Sequence, residues 1–298
     1  MCKYHSQVQR IQLFYGQAEL TMLDGVKMAE PLSKAKLSVY RKLRGKKNRE
    51  IENRFIIEGW HLLEEAIKSG VHLNALVYDG SRKLSDEDRV VLAKAKQHSD
   101  KVYLASESQL KALGETKTNS GVIGIADRLH YNWGSVEASL RTKVESCLVV
   151  LDAVSDPGNC GAIIRGCDWF GADAVLMGKG CPEKENGKLV RATMGGIFHL
   201  PILPIENLAD TVGSLKSEGF QVVASEIGAS ESLQSFHWPA KTVLVIGNEA
   251  RGVSEEILEL ADHRIEIPSF GNGESLNAAM SCSVLLGHWR MLDSTTLG

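Results

Sequence analysis

The sequence predicts an α/β protein with two domains, the second of which contains a parallel sheet. The chain has 298 residues, about twice the usual length of one domain. Hydrophobic residues make up 43% and charged residues 24%, which is an ordinary globular composition. Short strand-like runs alternate with helical patterns along most of the chain. The apolar run from Cys147 to Leu151 is typical of a parallel strand buried on both faces.

The chain divides into four parts. Residues 1–35 form an N-terminal extension with weak periodicity, and residues 36–128 form a small first domain. Residues 129–146 are polar and have no clear apolar stripe, so they predict a linker. Residues 147–298 form the second domain.

The alternation of strand-like and helical patterns in the first domain predicts a small α/β sandwich. Phe55 to Gly59 reads as a strand that ends at a glycine, and the apolar residues of 61–69 recur at helical spacing. Ser106 is well placed to cap a helix over 106–113. The remaining predicted elements are strands over 73–78, 101–104 and 121–126 and a helix over 87–98.

The sequence pattern of the second domain predicts a longer series of strands with helices between them. The strands cover 147–151, 174–177, 202–203, 221–224, 242–246 and 264–267, and helices cover 162–170 and 276–292. Ligands of open parallel sheets bind beyond the carboxyl ends of the strands. We therefore expect the functional residues at those ends.

Composition and motif searches exclude several functional classes. The chain has 34 basic and 37 acidic residues, so any surface for nucleic acid must be local. The six cysteines form no C-x-x-C pair and the histidines lack ligand spacing, so we expect free thiols, a reducing cytoplasm and no metal. No apolar run is long enough to span a membrane. Walker A, G-x-G-x-x-G and G-x-S-x-G motifs are absent from the sequence.

Three glycine-asparagine corners follow predicted strands. In the first, Ser155 to Asn159 makes a tight turn in which Asn159 can cap the next helix, and Arg165 lies further along that helix. In the second, a four-residue apolar strand ends at Gly247, where a missing Cβ lets a ligand approach the main chain. Taken alone, the first corner favours a plain capped helix with a solvated arginine, and an ordinary turn is the alternative at the second.

The third corner contains two glycines and then Glu274-Ser275-Leu276-Asn277. Ser275 is a good N-cap for the terminal helix. Asn277 would then occupy the second helical position, which is unusual because asparagine prefers caps and turns. The glycines suggest a main chain wrapped around a ligand, and a plain capped turn is the alternative.

Together, the three corners resemble the motifs of the SpoU family of RNA ribose 2′-O-methyltransferases, within the SPOUT superfamily. The first motif is similar to residues 156–165, the second to 247–252 and the third to 274–279. The resemblance covers about residues 147–292. Residues 55–59 and 116–122 carry a weaker resemblance to the RNA-binding domain that often precedes it. Arg191-Ala192-Thr193 stands where the family commonly has arginine-alanine-serine.

The resemblance implies a deep trefoil knot, an exception to the rule that chains do not thread loops. It also implies that S-adenosylmethionine binds in the knot against Gly247, Ile267 and Leu276. Members of the family are homodimers whose active site is completed across the interface.

The resemblance assigns catalysis to Arg165, with Asn159, Glu249, Ser275 and Asn277 as positioning residues. A ribose hydroxyl is a weak nucleophile until it loses its proton, so transfer needs a base or a group that stabilises the developing alkoxide. Arginine stays protonated in proteins, which favours a charge-stabilising and phosphate-orienting role for Arg165 over that of a base.

The resemblance therefore implies a cytoplasmic, dimeric enzyme that methylates a ribose 2′-hydroxyl in structured RNA, with rRNA favoured over tRNA. The run from Lys34 to Arg49 has eight basic and no acidic residues and could grip RNA phosphates; a solvated arm is the alternative. The phosphate-binding candidates in this run are Lys42, Arg44, Lys46 and Lys47. Two rival functions are a non-catalytic RNA-binding or ribosome-assembly factor that retains the fold, and a methyltransferase acting on a base.

Overall fold

The computed structural model describes residues 28–116 and 120–292 and confirms the α/β class. The strands of the first sheet are β1 (Glu30–Pro31), β2 (Arg54–Glu58), β3 (Leu73–Tyr78), β4 (Ser99–Leu104) and β5 (Val122–Asp127). The helices around it are α1 (Lys34–Lys42), α2 (Lys46–Glu52), α3 (Trp60–Lys68), α4 (Asp86–Gln97) and α5 (Glu107–Leu113). Most of the predicted extension, and residues 117–119 of the weaker resemblance, lie outside the described residues.

The first sheet is mixed and covered on both faces. Its order is β1-β4-β3-β5-β2, with β5 antiparallel to both of its neighbours. Alternate residues of β3 point to opposite faces, as a strand requires. Ala75 and Val77 pack with α1 and α5, whereas Leu76 and Tyr78 pack with α3 and α4. The predicted cap Ser106 is confirmed, because its hydroxyl accepts a hydrogen bond from the Gln109 N–H.

The second sheet has seven strands, and all of its pairings are parallel. Its strands are β6 (Ser146–Leu151), β7 (Ala174–Met177), β8 (Ile202–Pro204), β9 (Gln221–Ser225), β10 (Glu231–Ser232), β11 (Lys241–Ile246) and β12 (His263–Glu266). Its order is β10-β12-β9-β11-β6-β7-β8. The helices of this part are α6 (Trp133–Arg141), α7 (Pro157–Phe170), α8 (Gly187–Ala192), α9 (Leu208–Ser217), α10 (Glu255–Leu258) and α11 (Ala278–Leu292).

The predicted linker contains a helix that the sequence analysis missed. Asn132 caps α6 by accepting a hydrogen bond from the Ser135 N–H. Val136 and Leu140, four residues apart, are buried against the second sheet. Two buried residues are too few to give a clear apolar stripe, so the local pattern resembled a loop.

Two predicted helix starts are wrong, and both errors fall at the corners. Helix α7 begins at Pro157, five residues before the predicted start, because Asp156 caps it and proline suits the first helical position. Helix α11 begins at Ala278, two residues after the predicted start.

The two sheets share one buried apolar cluster. It joins residues of the first domain, such as Phe55, Leu63 and Leu76, to the face of the second sheet that α7 and α11 cover. A second cluster fills the opposite face of that sheet, under α6, α9 and α10. Among the described residues, no helix is both long enough and apolar enough to cross a membrane.

Candidate active site

The three corners lie at the carboxyl ends of strands in the parallel sheet. The first follows β6, the second follows the neighbouring strand β11, and the third follows β12. In a parallel sheet these ends lie on one edge, so segments far apart in the chain meet there.

In the first corner, Asp156 takes the capping role and leaves the side chain of Asn159 available for other contacts. The Asp156 carboxylate accepts the Asn159 N–H at 2.9 Å and so caps α7. The predicted cap role of Asn159 is therefore wrong. Because Asn159 lies in the first turn with its N–H already satisfied, its side-chain amide is left to reach other corners.

The second corner is a tight loop that its own asparagine holds together. Main-chain hydrogen bonds join Asn248 to Gly252 in both directions, at 2.9 Å each. The Asn248 side chain accepts the N–H groups of Ala250 and Arg251 and donates to the Ala153 carbonyl at 2.8 Å. The last bond ties the loop after β11 to the loop after β6.

Gly247 allows this loop to close, a role that was not among the sequence predictions. A Cβ at this position would overlap the main chain of Gly252 and Val253. The space beside Gly247 is thus filled by its own chain. The glycine is required for the closure of the loop, in addition to any approach of a ligand.

The third corner caps its helix with Asn277. The Oδ1 of Asn277 accepts the N–H groups of Ala279 and Met280, at 2.9 and 3.4 Å. Ser275 was predicted as the cap, and that prediction is wrong, because the helix begins later and Asn277 takes the position. This role also explains an asparagine that would be unfavourable inside the helix.

Three side chains from the three corners form one hydrogen-bonded chain, which we name the Asn159 network: Asn159, Glu249 and Asn277. The Nδ2 of Asn159 donates to Glu249 Oε1 at 2.8 Å, and its Oδ1 accepts from Asn277 Nδ2 at 2.9 Å. Because the Glu249 oxygen accepts from Nδ2, Glu249 fixes the orientation of the Asn159 amide. That amide in turn fixes Asn277, whose remaining oxygen faces the start of α11.

Lys188 of α8 supports the first corner electrostatically. Its ammonium donates to Asp156 Oδ2 at 2.7 Å. This hydrogen bond, together with the N–H of Asn159, holds the pKa of Asp156 below its ordinary value. Asp156 therefore stays ionised, and an ionised carboxylate is the stronger cap at a helix N-terminus.

Arg165 and Ser275 lie apart from the Asn159 network. Within residues 28–116 and 120–292, neither side chain makes a hydrogen bond or ion pair with Asn159, Glu249 or Asn277. Arg165 is exposed in the middle of α7 and lines a shallow cavity of about 300 Å³. The other lining residues are Ala162, Gly166, Trp169, Phe170 and Ser283.

The residues expected to bind the cofactor present main chain at the same edge of the sheet. Gly247 and Ile267 are half-buried and directly follow β11 and β12, and Leu276 is exposed just before α11. In the described part of the chain, none of the hydrogen bonds outside helices and strands uses their main-chain groups. Free N–H and C=O groups at strand ends fit a purine base, which is recognised by hydrogen bonds at its edge.

The basic run is folded, which excludes a flexible arm. It forms α1 and α2, with Tyr40 and Leu43 buried against the first sheet. Lys42, Arg44, Lys46 and Lys47 are all exposed around the turn between the two helices. Their binding to RNA stays a prediction.

The described residues contain one group with the composition of a metal site. His61, Glu64 and Glu65 of α3 place one ligand atom each within 4.8 Å of the others. Lys68 already forms ion pairs with both carboxylates, at 3.1 and 2.9 Å. That ammonium offsets one of the two negative charges.

Three roles in the site lie outside the sequence predictions, those of Asp156, Asn248 and Lys188. An Asp-Pro pair at a helix start signals the first of them, since proline favours the first helical position. No local pattern signals Lys188, because its partner is 32 residues away.

Comparison with known proteins identifies both domains. Residues 146–287 match the SpoU rRNA Methylase family, and residues 34–124 match the MRM3-like substrate binding domain. The chain is 34% identical over 266 residues to the 23S rRNA (guanosine(2553)-2′-O)-methyltransferase RlmP of Bacillus subtilis (strain 168). That match covers 89% of this chain and 100% of the relative.

Solved structures agree with the sequence matches. An AdoMet-bound rRNA methyltransferase from Sinorhizobium meliloti is 28% identical, with a TM-score of 0.75, and the match covers 89% of this chain and 98% of that one. The SpoU methyltransferase AviRb from Streptomyces viridochromogenes, in complex with AdoMet, has a TM-score of 0.78 at 24% identity, with 88% and 99% covered. At that identity, AviRb supports the fold alone.

Proposed function

The chain belongs to the SpoU rRNA methylase family, and on that premise we propose that it transfers a methyl group from S-adenosylmethionine to a ribose 2′-hydroxyl of ribosomal RNA. The Asn159 network carries this proposal. It joins one side chain from each of the three family motifs, at 2.8 and 2.9 Å. A protein that only binds RNA needs no such convergence at the sheet edge.

The residues present fit S-adenosylmethionine. Gly247, Ile267 and Leu276 offer main-chain groups beside the Asn159 network, and the related enzyme from Sinorhizobium meliloti is AdoMet-bound. When bound, the cofactor supplies an electrophilic methyl carbon on a sulfonium. Catalysis then consists largely of holding the 2′-oxygen in line with that carbon at near-attack distance.

Arg165 is the residue that touches the reacting group in this proposal. Its guanidinium stays protonated and stabilises the charge that develops on the 2′-oxygen while the proton leaves to water. It also orients the neighbouring phosphate through paired N–H donors. Asn159, Glu249, Ser275 and Asn277 position the hydroxyl and the loops around the cofactor.

A homodimer completes the site in this proposal. Trp169 of α7 is 83% exposed, and Met280, Val284 and Met291 of α11 are exposed along one helical stripe beside it. An apolar surface of this kind favours association between proteins. Arg165 lies in the same surface, so a second copy would bring its own corner residues against Arg165.

The RNA substrate is ribosomal in this proposal, and the protein works in the cytoplasm. The relative RlmP is named for a guanosine of 23S rRNA, and the first domain matches a substrate-binding domain. The deep trefoil knot remains an expectation for the second domain.

The test is methyl transfer from labelled S-adenosylmethionine to rRNA that lacks the modification, with mass spectrometry of the product nucleosides. Wild-type protein should yield one 2′-O-methyl nucleoside. Arg165→Ala should lower kcat at least about 100-fold, the effect of losing one preorganised charge-stabilising donor. Its Kd for S-adenosylmethionine, measured by calorimetry, should stay within about 2-fold of wild type, because Arg165 acts on the hydroxyl and phosphate.

The outcomes separate the proposal from its rivals. Cofactor binding without transfer to any rRNA would favour a non-catalytic assembly factor. A methylated base in the product would favour the base-methylating enzyme. Full turnover by Arg165→Ala would remove Arg165 from the mechanism.

A further inference from the structure

A buried charge pair joins the first domain to the second. The Nε and Nη2 of Arg49 donate to Glu183 Oε2, at 3.1 and 2.7 Å. The two side chains are 4% and 6% exposed. The other oxygen of Glu183 pairs with Arg128, which also pairs with the buried Glu185. We name Arg49, Arg128, Glu183 and Glu185 the domain junction.

Arg49 also holds the turn between α1 and α2 in place. We name this turn, with its exposed side chains Lys42, Arg44, Lys46 and Lys47, the basic turn. The Nη1 of Arg49 donates to the carbonyls of Leu43 and Arg44, at 2.9 and 2.8 Å. These carbonyls lie between α1 and α2, within the run of exposed cations. Arg49 therefore ties the basic surface directly to Glu183 of the catalytic domain.

A second set of ion pairs joins the domains at the other end of segment 183–191, which begins with Glu183. Arg191, at the end of α8, pairs with Glu58 of β2 and with Glu115, at 3.2 Å each. Gly187 sits so close to Glu115 that a Cβ there would lie 2.9 Å from its carboxyl carbon. Residues 183–191 thus contact the first domain at both ends.

The middle of this segment supports the catalytic corner. Lys188 holds Asp156, the cap of α7, and Asn159 belongs to the first turn of that helix. Helices α7 and α8 approach closely at Gly161, where a Cβ would lie 2.6 Å from the Leu189 carbonyl oxygen. The segment therefore contacts Arg49, which holds the basic turn, and Asp156, which caps the helix that carries Asn159.

From this continuous path, and on the basis of the function proposed above, we propose that segment 183–191 fixes the spacing between the basic turn and the Asn159 network and so selects the methylated nucleotide. RNA held by its phosphates at the basic turn presents one particular ribose to the site. The residues of the domain junction and Arg191 are positioning residues in this account. Because the two domains also share an apolar core, the spacing stays constant while RNA binds.

The test changes the junction without leaving a charge unpaired. The double variant Arg49→Met, Glu183→Met replaces the pair with apolar side chains of similar length, an exchange that buried ion pairs often tolerate. Unmodified rRNA is the probe, and methylated positions are mapped by nuclease digestion and mass spectrometry. We expect methyl groups at neighbouring nucleotides and a kcat/KM for RNA lowered about 10- to 100-fold, since small misplacements have such effects.

Further variants keep the test decisive. Glu115→Gln weakens the other tie, where both side chains are partly exposed, so it serves if the double variant does not fold. Glu218→Gln is the control, because it removes the charge that pairs with Arg141 of α6 at 2.8 Å, away from the junction. It should leave the methylated position unchanged.

The readouts separate positioning from stability. The KM for S-adenosylmethionine should stay within about 2-fold in the junction variants, while the values for RNA change. A junction variant that melts at a lower temperature but methylates the same single nucleotide with unchanged kcat/KM would overturn the inference alone. Wild-type protein that methylates no RNA would overturn the inference and the proposed function together.

Discussion

The Asn159 network and the domain junction are both small polar networks, but they differ in burial. Asn159, Glu249 and Asn277 lie at the open edge of the parallel sheet, where solvent and ligands can reach them. Arg49 and Glu183 are almost completely buried between the domains. Exposed hydrogen bonds exchange partners at little cost, whereas a buried charge that loses its partner is strongly destabilising.

In the function proposed above, this difference separates the site from its support. The exposed hydrogen bonds of the Asn159 network can exchange partners when a ribose and a cofactor bind, at little cost in stability. The junction must keep its partners, so it holds the domains in one arrangement. Changes in the exposed Asn159 network should therefore affect turnover more than stability, and changes at closely packed or buried contacts should affect both.

Gly247→Val should have the largest effect, because it places atoms inside a closed loop at the sheet edge. The new side chain overlaps the main chain at Gly252 and Val253. We expect a loss of about 2–4 kcal/mol in the free energy of unfolding, together with loss of S-adenosylmethionine binding. Denaturant unfolding and calorimetry measure the two quantities.

Gly213→Val is the matched control. Gly213 lies in α9, away from the three corners, and a Cβ there meets nothing within 4 Å. Both stability and cofactor affinity should be close to those of wild type. A Gly247→Val protein that binds the cofactor normally would show that the loop after β11 does not form the cofactor site.

Two substitutions of Asn277 should separate its role as the cap of α11 from its role as a donor to Asn159. Asn277→Ala removes both the cap of α11 and the donor to Asn159, so we expect about 1 kcal/mol less stability and a lower kcat. Asn277→Asp keeps the cap but loses the donor, so it should melt like wild type and still lose kcat by about 10-fold or more. Equal kcat in the aspartate variant and wild type would contradict the positioning role.

The basic turn should contribute to RNA affinity without affecting chemistry. Alanine at Lys42, Arg44, Lys46 and Lys47 should weaken RNA binding and lower the salt dependence of log Kd by about 0.7–0.9 for each phosphate that the variant no longer binds. Lys94→Ala is the control, since it removes an exposed charge from α4 on the opposite face of the first sheet. An unaltered salt slope would remove the basic turn from the RNA surface.

Substitutions that remove the ion pair between Lys188 and Asp156 should have the smallest effect on stability. Lys188 lowers its pKa from the ordinary value of 3.8, so its stabilising contribution is present above pH 3.8 and is lost as the pH falls through the lower folded value. Lys188→Ala should raise the pH of acid unfolding. The loss in the free energy of unfolding should be less than about 0.5 kcal/mol, because the ion pair is exposed to solvent. Asp156→Asn keeps a capping oxygen and should abolish this pH dependence in a thermal melt series.

Most strands were predictable from the sequence, with the two-residue strands β1 and β10 as exceptions, and the helix starts at the corners were not. Strands 73–78 and 174–177 have the predicted bounds, because continuous buried apolar runs signal them. The starts of α7 and α11 were misplaced because Asn159 and Ser275 are as good capping residues, by type, as Asp156 and Asn277. Which of two neighbouring caps is used depends on contacts with distant loops.

The sequence by itself determined the α/β class, the parallel second sheet and the three corners that contain Asn159, Glu249 and Asn277, because hydrophobic periodicity and turn residues act locally. Only the tertiary structure decided that Gly247 closes its own loop, that Asn277 caps α11, and that Arg49 and Arg191 join the domains. Arg49, Arg191 and the Nδ2 of Asn277 bond to residues up to 134 positions away. Such pairs form when strands cross over and their ends meet at one edge, and no local pattern of residues encodes that meeting.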